Sequence, residues 1–145
     1  MRLSQMQIDL LHRGDFSLVM MKDEYVRTFT QRGVADLYGL LTEDPAYMQG
    51  SLVADKVVGK GAASLMVLGE VREVYADVIS EPALETLRKG GVLVTYKQLV
   101  PFIENRDKTG WCPVETLCRD AKTPQEALPL IADFLEKISS RSPKM

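Results

Sequence analysis

The stretch VREVYADVISEPALETLRKGGVLVTY, residues 71–96, contains two predicted strands with a predicted helix between them. The strands run from Val71 to Ile79 and from Val92 to Tyr96, because both segments are rich in β-branched and aromatic residues. Pro82 favours the start of the helix, and the pair Gly90-Gly91 favours its end. A strand–helix–strand unit of this kind joins parallel strands through a right-handed crossover. The stretch therefore predicts an α/β fold.

On the N-terminal side of this stretch, a run of small and apolar residues predicts a buried helix that starts near Gly59 and ends at Gly69. The segments before it predict, in order, an amphipathic helix, a β-hairpin, a short helix and a loop: residues 1–13, 16–21 with 24–29, 34–41 and 42–50. Together these elements predict three layers, with a mixed sheet between layers of helices.

Towards the C-terminus, residues 97–111 are predicted to form a connector with one helical turn at 101–104. A helix start is predicted at Cys112-Pro113, and a second one at Thr123, where Thr123 and Glu126 form a capping box. Pro129 is expected to kink the last helix or to delay its start. We expect a single domain over residues 1–138 and a flexible tail over residues 139–145.

The composition excludes several classes of protein. Among 145 residues, 20 are acidic and 18 are basic, so the net charge of -2 argues against nucleic acid or an anionic membrane as the partner. No apolar run approaches the ~18 residues that a membrane span requires. Residues 1–13 lack the apolar core of a signal peptide, and two cysteines are too few for a disulfide framework. These features predict a cytoplasmic protein, with a small-molecule ligand and a homo-oligomer as possible partners.

The order of the elements also predicts the position of a ligand site. In sheets with parallel strands, ligands bind beyond the carboxyl ends of the strands. Three predicted helix starts fall at that edge, near Gly59, Glu81 and Cys112. Each helix start offers free backbone N–H groups and the positive end of the helix dipole, so we expect the site to attract anionic groups.

Residues around Gly59 are the first candidates for ligand binding. Gly59 and Gly61 allow a close approach of backbone or ligand, although the spacing does not match a P-loop. Lys60, at a positive helix end, either faces a ligand or substrate or is paired with a structural partner. Asp55 precedes this helix and is either a general base or a loop cap, of which the cap is favoured.

A second group of candidates lies later in the chain. Cys112 occupies a helix start, where a thiol pKa is lowered, and it is either a nucleophile or a buried cap residue. Glu115 stabilises the same helix start and is favoured less as a catalytic acid. Ser80 ends a strand at the predicted edge, and Arg106, beside Asn105, either clamps a phosphate or carboxylate or pairs with a neighbouring acid.

Zinc is not expected, because His12, Cys112 and Cys118 are the only histidine and cysteines, and their spacing matches no zinc motif. No other cofactor is predicted. The catalytic candidates are Lys60 and Cys112. The ligand-binding candidates share a place at the predicted edge: Asp55, Gly59, Lys60, Gly61, Ser80, Asn105, Arg106 and Glu115.

Four motifs in this order also resemble a bacterial family of unknown function that is assigned to the cytidine-deaminase-like fold. The motifs are VVGKGAA at residues 57–63, VISEPAL at 78–84, Asn105-Arg106 and CPVE at 112–115. Zinc deaminases open the two active-site helices with H-x-E or C-x-E and with P-C-x-x-C, and this chain has neither. The resemblance therefore implies the architecture and the place of the pocket, without deamination.

Three hypotheses for the function follow. The first is a zinc-less, deaminase-like pocket that binds a small anionic or nucleotide-like ligand. The second is a transferase or hydrolase that depends on Cys112. The third is a structural or interaction protein without catalytic activity.

Overall fold

A computed structural model describes residues 5–31, 34–104 and 109–141 of the chain. Its centre is a mixed five-stranded sheet with the strand order β2-β1-β3-β4-β5. The strands are β1 (Leu18–Lys22), β2 (Tyr25–Phe29), β3 (Leu52–Val58), β4 (Glu73–Ser80) and β5 (Leu93–Val100). The pairing is antiparallel between β1 and both of its neighbours and parallel from β3 through β4 to β5.

Seven helices surround the sheet within the described part of the chain. They are α1 (Gln5–Arg13), α2 (Ala35–Glu43), α3 (Pro45–Met48), α4 (Lys60–Leu68), α5 (Glu81–Lys89), α6 (Pro113–Cys118) and α7 (Pro124–Arg141). The predicted α/β class and the parallel strand–helix–strand unit over residues 71–96 are confirmed. The predicted hairpin and the helices after Gly59, Ser80 and Cys112 are confirmed as well.

The two faces of the sheet are covered unequally. On one face, Leu11 of α1 packs in a small cluster with Val19 and Ala54. On the other face, the main core includes Met20 and Val53 and takes in residues of every other helix. Neighbouring residues of β1 and β3 thus point into different clusters, as the alternation of side chains along a strand requires. Helices therefore lie on both faces, and the main core lies on the face opposite α1.

The central strand β3 is missing from the sequence-based prediction. Its sequence LVADKVV carries Asp55 and Lys56 in the middle, and this pair interrupts the apolar pattern that identifies a buried strand. Three smaller predictions are also wrong. Residues 42–50, predicted as a loop, contain α3, and β5 continues to Val100 where a connector was predicted. Residues 101–104 form no helix, and Glu104 instead makes an isolated bridge with Trp111.

The last helix begins as its capping residues predict. The backbone N–H of Glu126 donates to Thr123 Oγ1 at 3.1 Å. The Glu126 carboxylate accepts from the backbone N–H of Lys122, one residue earlier than the predicted capping box places it. The predicted delay of the helix start is wrong, because α7 runs from Pro124 to Arg141 with Pro129 inside it.

Two helical glycines have opposite surroundings and give a paired prediction. A Cβ at Gly61 of α4 would overlap Val114 Cγ1 of α6, whereas a Cβ at Gly39 of α2 would meet only Glu43 Oε2 at 3.9 Å. We expect Gly61→Ala to lower the free energy of unfolding by about 1–3 kcal/mol through overpacking. Gly39→Ala should raise it by about 0.5–1 kcal/mol, because alanine favours the helix.

Urea unfolding of both variants measures these changes. A stabilising effect of Gly61→Ala would contradict the close packing of α4 against α6.

Candidate functional site

A cavity of about 570 Å³ opens on the main-core side of the sheet, beside the carboxyl end of β3. Its wall combines residues of β1, β3, α2, α4, α6 and α7. The wall includes Asp15, Phe16, Asp36, Asp55, Lys56, Gly59, Gly61, Ile103, Glu104, Cys112, Glu115 and Phe134. The volume suits a small molecule, since ligand pockets commonly measure about 300–1,000 Å³.

Glu115 of α6 connects the three helix starts at this edge. Its Oε1 accepts hydrogen bonds from the Lys60 backbone N–H at 3.2 Å and from the Ser80 hydroxyl at 3.1 Å. Ser80 also accepts from the backbone N–H of Ala83 at 3.2 Å and so caps α5. The predicted convergence of the starts of α4, α5 and α6 is present, and a buried carboxyl lies between them.

The environment of Glu115 is tight. Its side chain is 2% exposed, and Oε2 has no hydrogen-bond partner among the described residues. Burial raises the pKa of Glu115 above its ordinary value, and the hydrogen bonds from Lys60 and Ser80 oppose this rise. A Cβ at Gly59 would lie 2.7 Å from Oε2, so the glycine makes room for the carboxyl.

Lys60 has a structural partner in this fold. Its Nζ donates to the carbonyl oxygens of Arg119 at 3.0 Å and Ala121 at 2.6 Å, beyond the end of α6. The Lys60 ammonium group therefore lies away from the positive end of α4. At that helix end, the Glu115 carboxyl is the negative partner of the helix dipole. Lys60 is not among the residues that line the cavity. Of its two predicted roles, the geometry supports the structural one.

Asp55 lies inside β3 and is 8% exposed. Asp55 does not cap α4, whose N-cap is Gly59, but its carboxyl accepts the local backbone N–H of Val57 at 3.3 Å, a short-range bond of the kind that the favoured capping role predicts. No ion pair joins Asp55 to a described cation. Burial, with a smaller contribution from the Asp77 charge, raises the pKa of Asp55 from 3.8 to about 7. At neutral pH this carboxyl can therefore donate or accept a proton.

The charge of the cavity wall is acidic. Five carboxyl side chains line the wall among the described residues, and Lys56 is the one basic residue there. The carboxyl groups are those of Asp15, Asp36, Asp55, Glu104 and Glu115. Burial raises the pKa of Asp36 as well. The helix starts were expected to attract an anionic ligand. The structure does not favour such a ligand, because carboxyl groups of the protein occupy the places where it would bind.

Cys112 lines the cavity and is half-buried, at the N-cap of α6. The one histidine, His12, lies on α1. Its Nε2 contacts the Asp77 carboxylate at 2.7 Å and not the Cys112 thiol. Tyr75 donates to the same carboxylate at 2.6 Å. Cys118 is buried, and burial raises its pKa to about 11.

The structure brings together most of the residues that the sequence marks as a site. Five of them line the cavity: Asp55, Gly59, Gly61, Cys112 and Glu115. Ser80 contributes indirectly through Glu115, whereas Asn105 and Arg106 lie outside the described residues. The wall residues Phe16, Asp36 and Phe134 were not predicted from the sequence. No local motif marks these three, because they come from three separate segments that only folding brings together.

The described residues contain neither a group of metal ligands nor a helix that could span a membrane. Within residues 5–31, 34–104 and 109–141, no three His, Cys, Asp or Glu side chains are grouped so that they could hold a metal ion. In the same ranges, no helix has the length and apolar character needed to cross a membrane.

Comparison with known proteins identifies the family. A family model described as "TM1506: Domain of unknown function (DUF1893)" matches residues 6–135. A crystal structure of a DUF1893 family protein, TM1506 of Thermotoga maritima, is similar to this chain with a TM-score of 0.81 and 25% sequence identity. The similarity covers 92% of each chain. Comparison with curated proteins gives no match. The chain therefore belongs to the DUF1893 family, a domain family of unknown function.

Proposed function

We propose that the cavity binds a small molecule that presents amino or amidine groups on a flat ring, with Asp55 as the central recognition residue. The observation that carries this proposal is the position of Asp55, a buried carboxyl in the middle of β3 and in the cavity wall, with no ion-pair partner among the described residues. Burying an unpaired carboxyl costs several kcal/mol. A carboxyl that is buried at this cost in the wall of a cavity is typically a binding or catalytic group.

The rest of the wall supports the same ligand chemistry. Phe16 and Phe134 provide apolar aromatic surface for a ring. The acidic wall favours hydrogen-bond donors and positive charge over phosphate. The base of a nucleotide-like ligand suits this wall, but its phosphate does not. The ligand that suits this wall therefore has the ring of the expected nucleotide-like ligand and carries amino or amidine groups instead of the expected anionic group.

The cytidine-deaminase-like architecture is part of this proposal. An opening helix, a hairpin and two consecutive strand–helix units, with helix starts at one edge, support it. The chain has no zinc motif at those helix starts. We propose a binding pocket in the place where a deaminase holds its substrate, with carboxyl groups in place of a metal centre.

Thermal denaturation with a panel of probes tests this function. Adenine, cytosine and benzamidine represent the proposed chemistry, and inorganic phosphate and acetate represent the alternative. At a probe concentration of about 100 times Kd, we expect the Tm to rise by roughly 5–11 °C. Binding of the cationic benzamidine should be tighter at pH 8 than at pH 5.5, because Asp55 is ionised above pH 7.

A pair of variants controls the experiment. Asp55→Asn should abolish the shift caused by benzamidine. Asp133→Asn, which removes an exposed carboxyl on α7, should retain it. Stabilisation by phosphate but by none of the three ring compounds would overturn the proposed ligand chemistry. The absence of any shift across the panel would refute a pocket for ligands of this class.

A further inference from the structure

The two oxygens of the Glu115 carboxyl have different surroundings. Oε1 accepts the Lys60 backbone N–H at 3.2 Å and the Ser80 hydroxyl at 3.1 Å, and so joins the starts of α4 and α5. Oε2 is buried and has no hydrogen-bond partner among the described residues. A buried acceptor without a partner costs free energy, and proteins keep few such atoms. The helix junction therefore accounts for Oε1 but gives Oε2 no role.

We infer that Glu115 Oε2 is a second recognition point of the cavity and accepts a hydrogen bond from a protonated amino group of the ligand. This inference rests on the proposed function, in which Asp55 binds an amidine or amino group on a flat ring. It narrows the class of ligand to rings that carry this group at one end and an ammonium group at the other. Asp55 binds the first end of such a molecule, and Glu115 binds the second.

The two carboxyls lie at separate places in the wall of one cavity. A Cβ on Gly59 would be 2.7 Å from Glu115 Oε2, so this oxygen lies beside the Gly59 backbone. Gly59 follows Asp55 by four residues of extended chain, which spans about 13 Å at ~3.3 Å per residue. Asp55 and the Glu115 carboxyl are therefore positioned along the length of β3. This arrangement suits a ligand with a hydrogen-bond donor at each end.

The Ile103 side chain lies between the cavity and Oε2. The same Cβ position on Gly59 would be 3.3 Å from Ile103 Cγ1, so Ile103 and the Glu115 carboxyl border one small space in the cavity wall. Burial raises the pKa of Glu115 and the nearby backbone N–H of Ile103 opposes this rise, but that N–H makes no hydrogen bond to Oε2. Ile103 is half-buried, and its side chain can rotate between staggered conformers. A ligand group reaches Oε2 when this side chain turns away.

The charges near Oε2 favour a cation as its partner. The Lys60 ammonium group donates to the carbonyl oxygens of Arg119 and Ala121, at 3.0 and 2.6 Å, and therefore does not occupy Oε2. Around the cavity, five carboxyl groups and one lysine line the wall among the described residues. Hydrogen bonds from a charged donor to a carboxylate are about twice as strong as those between neutral groups. An ammonium group is therefore the donor that gains most from Oε2.

Isothermal titration calorimetry with two matched probes tests this inference. 4-(Aminomethyl)benzamidine carries the second cation, and 4-ethylbenzamidine has the same shape without it. The wild-type chain should bind the aminomethyl compound about tenfold more tightly or better.

A matched pair of variants assigns this difference to one atom. Glu115→Gln keeps an oxygen acceptor for Lys60 and Ser80 but places an amide NH₂ group at the position of Oε2. The ratio of the two dissociation constants should therefore fall to about one. Glu136→Gln makes the same change at an exposed glutamate of α7 and should keep the wild-type ratio. Far-UV circular dichroism verifies that both variants are folded.

The outcomes separate this inference from the proposed function. If the wild-type chain binds both probes equally well and Asp55→Asn abolishes the binding, the second recognition point is overturned and the proposed function stands. If neither probe binds to the wild type, both are overturned. A folded Glu115→Gln variant with the wild-type ratio would assign the difference to the overall charge of the wall, and would overturn the role of Oε2. The comparison of the two probes on the wild type remains decisive even if Glu115→Gln does not fold.

Discussion

Replacing Asp55 with Asn should raise the free energy of unfolding by about 3 kcal/mol at pH 8 and change it little at pH 4. The unfolded chain ionises this carboxyl above its ordinary pKa of 3.8, whereas the folded protein keeps the proton up to a pKa of about 7. Between these two values the folded state binds more protons, so the wild type loses stability as the pH rises. The loss amounts to about 4 kcal/mol, at about 1.4 kcal/mol for each pKa unit.

Asparagine removes this loss because it carries no charge at either pH. It has nearly the shape of aspartate and can still accept the N–H of Val57. The buried amide group reduces the gain at pH 8 below the full 4 kcal/mol, since its own N–H groups need partners. Burial raises the pKa values of Asp36 and Glu115 too, so part of the pH dependence remains in the variant.

Urea unfolding at pH 4, 6 and 8 measures these stabilities, with the exposed Asp133→Asn as the control. The control should follow the pH dependence of the wild type. If the free energy of unfolding of Asp55→Asn depends on pH in the same way as that of the wild type, the pKa of Asp55 is the same in the folded and unfolded states. If the variant is more stable but no longer binds benzamidine, the carboxyl serves binding at the expense of stability.

Replacing Glu115 with Ala should lower the free energy of unfolding by about 3–4 kcal/mol. The substitution removes the acceptor for the Lys60 backbone N–H and for the Ser80 hydroxyl, and both groups remain at a buried helix junction. A buried donor without a partner costs about 1–3 kcal/mol, and the lost side chain leaves additional empty space beside Gly59. The effect is large because the Glu115 carboxyl, on α6, accepts hydrogen bonds at the starts of both α4 and α5.

Two other variants separate this role from the effect of a lost charge. Ser80→Ala removes one partner of Glu115 and the cap of α5, so it should cost about 1–2 kcal/mol. Glu136→Ala removes an exposed glutamate of α7 and should change the stability by less than about 0.5 kcal/mol. Denaturation at pH 7 ranks the three variants. An effect of Glu115→Ala no larger than that of Glu136→Ala would exclude the junction as a source of stability.

Much of the fold could be predicted from local patterns. The strand–helix–strand unit over residues 71–96 has proline at the start of its helix and two glycines after it, and these signals act within a few residues. The largest exception was β3, the centre of the sheet. Asp55 and Lys56 make it look like a polar segment, and the reason for a carboxyl there, the cavity wall, involves residues from distant parts of the chain.

The candidate site could be predicted in part. Helix starts converge at the carboxyl edge of parallel strands for topological reasons, so Gly59, Cys112 and Glu115 could be grouped without coordinates. The sign of the charge at that edge could not be predicted. The Lys60 side chain contacts the end of α6, and α2 contributes Asp36 to the cavity wall. The described wall is therefore acidic, although a basic wall was expected.

The α/β class, the parallel connections and the edge where the helix starts meet could be derived from the amino-acid sequence alone, because periodicity, caps and connection handedness act locally or by general topological rules. Only the folded chain established which side chains share the cavity, which carboxyls lose water, and which strand lies unpaired at the edge. Burial and charge depend on neighbours that are distant in the chain. The role of Asp55, a polar residue in an otherwise apolar strand, could therefore be recognised only after the chain was folded.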